Sequence, residues 1–149
     1  MPCLLLDYPV VSNVWWTLLG TGSAGANVKA EKAWVLWFNS TPSLLLQFAE
    51  LQVTEGGWAA TKKASLESLP ALDLCKLSAE QMAALQQLYD QLCHEPVPVL
   101  AKQFAQAAEG AGWRYRLDAR LLEILSGEKI ELRHLRPLYN LLTEEAKHW

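Results

Sequence analysis

The chain has 149 residues, 51% of them apolar and 19% charged, which suffices for one domain with a real core and excludes a disordered chain. Its net charge of −3 excludes a generally basic nucleic-acid coat protein but leaves room for a local basic face. Three cysteines, Cys3, Cys75 and Cys93, have no C-x-x-C spacing, so neither a disulfide framework nor a zinc site is expected and a reducing cytoplasm fits.

In chain order, Cys3 to Leu6 and Val14 to Leu19 read as short strands, with Asp7-Tyr8-Pro9 and Ser12-Asn13 as breaks. No positive segment precedes these apolar residues, which weighs against a signal peptide. Gly20 to Asn27 is a glycine-serine loop. From Val28 the periodicity predicts a helix whose stripe is Ala30, Ala33, Trp34, Trp37 and Phe38. Asn39-Ser40-Thr41-Pro42 ends it and opens a second helix, Ser43 to about Thr54, with Ser40 or Thr41 as cap and a deeply buried start. Gly56-Gly57 forces a turn. Trp58 to Leu66 then reads as a strand bearing Lys62 and Lys63, and Leu69-Pro70-Ala71-Leu72 as an extended exit.

Ser78-Ala79-Glu80-Gln81 opens the clearest helix, with Ser78 and Gln81 forming a capping box and Met82, Leu85, Leu88, Tyr89 and Leu92 the buried stripe. Glu95-Pro96-Val97-Pro98 marks a subdomain boundary. Beyond it three helices are expected: Val99 to Glu109, Leu117 to Leu125 and Leu132 to Lys147, with Pro137 delaying or kinking the last. The expected fold class is therefore α+β. A recognition-like, strand-bearing half over residues 1–95 contains a buried helical pair, and a helical tail over 96–149 packs with it as one domain. The apolar runs stop well short of a membrane span, so no membrane association is expected.

Several motifs compete for a chemical reading. Gly20-Thr21-Gly22-Ser23-Ala24-Gly25 matches G-x-G-x-x-G, yet no strand–helix alternation follows to build a dinucleotide fold, which favours a surface loop. His94, His134 and His148 lack metal-ligand spacing. Cys93-His94 are neighbours at a helix end, where adjacent side chains diverge. Arg114, Arg116, Arg120, Arg133 and Arg136 lie among Glu123, Glu128 and Glu131, a pattern that favours ion pairing over a phosphate-contacting face.

Phe38-Asn39-Ser40-Thr41, Gly57-Trp58 with Lys62-Lys63, Leu69-Pro70-Ala71-Leu72 and Ser78-Ala79-Glu80-Gln81 follow one another in an order that resembles a known family. It is the C-terminal target-recognition region of adenine-specific DNA methyltransferases and of restriction enzymes fused to them. Tyr89-Asp90 and Leu117-Asp118-Ala119 look similar to the tail of that region, and the likeness runs from about Trp15 to Leu142. The chain departs from the family in having no Pro-Pro pair, and so no Asp/Asn-Pro-Pro-Tyr/Phe motif to hold an adenine amino group.

The resemblance thus implies a non-catalytic DNA-binding module with no cofactor of its own. Its partners would be double-stranded DNA and a separate methyltransferase or restriction subunit. Lys62, Lys63 and Lys76 would neutralise phosphates, Thr61 and Ser65 would bond phosphates or base edges, and Trp58 would stack on a base or sugar. For the lysine pair the competing reading is a solvated strand face, and for Trp58 it is packing. A second class of function also fits: the seven tryptophans and the apolar helices would form a docking surface for a larger protein.

Overall fold

The computed structural model describes residues 28–50, 52–53, 59–60 and 63–145. Among them are seven helices: α1 (Val28–Asn39), α2 (Thr41–Ala49), α3 (Lys63–Ser68), α4 (Ala79–Leu92), α5 (Leu100–Ala108), α6 (Gly112–Ser126) and α7 (Leu132–Glu145). A 3-10 turn, Leu74–Lys76, precedes α4. The expected α+β class is overturned, because the described fold is helical throughout. Its one strand pairing is a two-residue antiparallel contact of β1 (Gln52–Val53) with β2 (Ala59–Ala60), too small to form a layer. The strands expected at Cys3 to Leu6 and Val14 to Leu19 lie outside the described residues, as does the glycine loop.

The strand expected over Trp58 to Leu66 is also corrected: from Lys63 the chain is helical. Lys63 to Ser68 holds lysine, alanine, leucine, glutamate and two serines with no β-branched residue, so helix propensity prevails over the strand reading. Lys63 and Glu67 support it as an i,i+4 pair at 3.4 Å. The second helix is shorter than expected, ending at Ala49, and β1 follows where helix was expected.

Packing builds two apolar clusters. Ala33 and Leu36 of α1 meet Leu85, Leu88 and Leu92 of α4 and Leu117 and Leu121 of α6. Leu44 of α2 meets Phe104 and Ala107 of α5, Ala119 of α6 and Leu135, Tyr139 and Leu142 of α7. α6 therefore contributes to both. Its start lies at Gly112, earlier than the expected Leu117, and its end is set by Gly127, whose φ of 73° takes the left-handed conformation and whose N–H bonds Glu123 O. Pro137 lies inside α7 without delaying its start at Leu132, and leaves the Arg133 carbonyl without its ordinary helical donor.

The stripe of α4 is as the periodicity predicts, with Leu85, Leu88 and Leu92 buried and Met82 and Tyr89 packed at its margin. In α1 the buried line is instead Ala30, Ala33 and Leu36, while Trp34, Trp37 and Phe38 are half-buried. The indoles are held at the rim because their N–H groups need acceptors: Trp37 Nε1 donates to Pro70 O at 2.8 Å and Trp34 Nε1 to Leu72 O at 3.4 Å.

Candidate functional site

The polar residues Asn39, Ser40 and Thr41 form a tight elbow between α1 and α2. A helix end leaves backbone groups without intrahelical partners, and here side chains supply most of them. Ser40 N–H and its hydroxyl both donate to Trp37 O, Gln47 Nε2 donates to Phe38 O at 3.0 Å, and Arg114 Nη1 donates to Asn39 O. On the α2 side Ser40 is the N-cap, Pro42 in the first turn has no N–H to satisfy, and Ser43 N–H reaches Ser40 Oγ at 3.4 Å. Thr41 donates its N–H to Asp118 Oδ1 at 2.8 Å and its hydroxyl to Asp118 Oδ2 at 2.5 Å.

Asp118 and Arg114 are both buried on α6, one turn apart, and no direct ion pair joins them. Arg114 donates two further N–H groups to Gln103 Oε1, at 3.1 and 2.6 Å, and lies over the rings of Phe104 and Trp113. Gln103 in turn donates to Pro98 O at 2.6 Å. A helix start, two neutral donors and a nearby guanidinium compensate the carboxylate, while burial opposes its charge. Burial dominates: it pushes the Asp118 carboxyl up from its ordinary value, against the opposing pull of Arg114 and Thr41. Burial likewise lowers the Arg114 guanidinium from its usual value, with Asp118 opposing.

The knot accounts for a second departure from expectation. The start of α2 is buried, but its buried residues are Thr41, Ser43 and Leu44, whereas Leu46 is exposed. Arg114 and Asp118 fall at i and i+4 beside Leu117 and Leu121, on the buried face of a helical run. Two charges on an apolar stripe were the signal for this site, and reading Arg114 as an ion-pairing partner of Glu123, Glu128 and Glu131 missed it. Three of the other arginines do pair on the surface, Arg116 with Glu95, Arg120 with Glu123 at 2.6 Å and Arg133 with Glu131 at 3.1 Å, while Arg136 donates to Ala108 O at 3.2 Å.

Of the residues expected to contact DNA, Trp58, Thr61 and Lys62 lie outside the described residues. Lys63 opens α3, exposed, with Glu67 beside it. Ser65, half-buried in the same helix, accepts a bond from the Ser68 hydroxyl on its carbonyl. Lys76 lies in the 3-10 turn, exposed, and pairs with Asp73 at 3.3 Å. Cys93 and His94 end α4 on exposed positions, with the thiol donating to Asp90 O. No cluster of histidine, cysteine or carboxylate side chains among the described residues is placed to hold a metal ion.

The chain matches no family model, no curated protein and no solved structure. No helix among the described residues is long and apolar enough to cross a membrane.

Proposed function

We propose that this chain is a non-catalytic DNA-recognition module of the kind found at the C-terminus of adenine-specific DNA methyltransferases, with methyl transfer supplied by other polypeptide sequence. What supports the reading is that the motifs carrying the resemblance bond to one another or to the helices beside them. Thr41 bonds Asp118 of the Leu117-Asp118-Ala119 motif, Trp37 bonds the carbonyl of Pro70, and Gln81 bonds the carbonyl of Ile124. Motifs that share joints in one body are what an inherited scaffold requires.

On this scaffold Lys62, Lys63 and Lys76 would neutralise phosphates, with Thr61 and Ser65 bonding nearby and Trp58 stacking. Glu67 and Asp73 do not forbid this, since exposed ion pairs contribute little in water and phosphate displaces them at small cost. A cytoplasmic setting suits the exposed thiols of Cys75 and Cys93.

The test is anisotropy of labelled duplex DNA with wild type and Lys62→Ala/Lys63→Ala. Binding is expected to weaken steeply with salt, and the double variant should lower the slope of log affinity against log salt by about 2. Absence of binding at low salt rejects the reading. A second reading, a protein-docking module, is favoured by the exposure of Val97 and Val99 (55% and 76%) between α4 and α5. It requires no salt-dependent DNA binding.

A further inference from the structure

Asp118 is the one carboxyl among the described residues that is wholly out of water, and both its oxygens are committed to the elbow through Thr41. We propose that Asp118 is a proton-responsive latch on the α1–α2 elbow, tightening the joint when protonated and easing it when ionised. The geometry makes both states accommodable. Ionised, the carboxylate accepts from the Thr41 N–H and hydroxyl. Protonated on Oδ2, it donates along the same 2.5 Å line to Thr41 Oγ1, and Oδ1 still accepts the Thr41 N–H. Protonation therefore keeps both contacts and removes the cost of a buried charge.

The groups around the carboxyl decide which state the closed joint favours. From α6 comes Arg114, whose N–H groups are turned to Gln103 of α5 and to Asn39 O, not to the carboxylate. From α7 comes Tyr139, wholly buried; Tyr115 of α6 acts on Tyr139 in turn. Thr41 and the start of α2 complete the surroundings. Arg114 is the only cation of the set. Burial outweighs these compensations and holds the carboxyl above its ordinary range.

A closed elbow keeps its proton at a pH where an open, solvated Asp118 has lost it, so closing is favoured at the acidic end. That advantage is lost as pH rises through the closed-state value.

Amide hydrogen exchange on the full chain, from about pH 5 to about pH 8 and corrected for intrinsic rates, tests this at Thr41, Ser43 and Leu44, with the α4 amides as reference. Elbow protection relative to α4 is expected to fall as pH rises, by up to about tenfold per pH unit. Its midpoint should match the Asp118 carboxyl-carbon NMR titration, and Asp118→Asn should flatten the profile. A flat wild-type profile, protection that rises with pH, or an unchanged trend in Asp118→Asn overturns the proposal. If Asp118→Asn does not fold, the two wild-type midpoints decide: coincidence supports the latch and separation overturns it.

Discussion

Tyr139 is wholly buried, and its hydroxyl, set beside Asp118, is the one buried side-chain polar atom among the described residues that makes no hydrogen bond of ordinary geometry. Burial, and after it the charge of Asp118, hold the phenol well above its usual range, so it stays neutral at any pH the protein meets. A buried donor without a partner costs about 1–3 kcal/mol, while the ring contributes its packing with or without the oxygen. Tyr139→Phe should therefore keep the fold and raise stability by about 1 kcal/mol, read by urea denaturation at neutral pH. A loss of that size would mean that the hydroxyl does bond Asp118. Arg114 and Asp118 nearby teach the complementary lesson. The expected helix start at Leu117 left Arg114 outside the helix that carries Asp118, and a partner as distant in the chain as Thr41 was not legible either, because no local pattern announces which polar group a buried carboxylate will meet.

Elements were legible where local chemistry and packing agree. For α4, Ser78 Oγ accepts the Gln81 N–H at 3.2 Å and Gln81 Oε1 accepts the Ser78 N–H at 2.9 Å, the capping box that the sequence predicts. Gln81 does more than cap: its Nε2 donates to Ile124 O at 2.9 Å, fastening the start of α4 to the end of α6. Ser78→Ala is thus expected to cost about 1 kcal/mol in thermal or urea unfolding, Ser78→Gly only a few tenths, and Gln81→Ala at least as much as Ser78→Ala. If Gln81→Ala cost less than Ser78→Ala, the bond to Ile124 would carry no weight. Elements were misread where a short segment offers two periodicities. Trp58 to Leu66 reads as a strand after the glycine turn, yet Lys63 onward is helical. Likewise the expected helix start at Leu117 is late, because Gly110 and Gly112, with φ of 77° and 82°, turn the chain within a few residues and α6 begins at once.

At the scale of the molecule, α6 is the shared wall of two apolar clusters, one with α1 and α4 and the other with α2, α5 and α7. Leu117 and Leu121 face the first, Ala119 faces the second, and the elbow knot lies where they meet, with Asp118 between Leu117 and Ala119. A cluster that lost its packing would expose one side of α6 and strip Asp118 or Arg114 of bonded partners, so neither cluster can open without straining the other. This coupling predicts a single cooperative transition. Leu85→Ala removes a wholly buried side chain from the first cluster and Leu135→Ala one from the second. Each should cost about 2–5 kcal/mol, with fluorescence and circular dichroism reporting the same midpoint in both variants and no change in the denaturant slope. Two clusters that behaved as separate bodies would give a second transition, shifted in only one of the two variants. Coincident midpoints in both would mean that α6 carries the loss of either cluster to the whole fold, because the same helix closes both cores and bears Arg114 and Asp118, the only two buried ionisable acid and base side chains among the described residues.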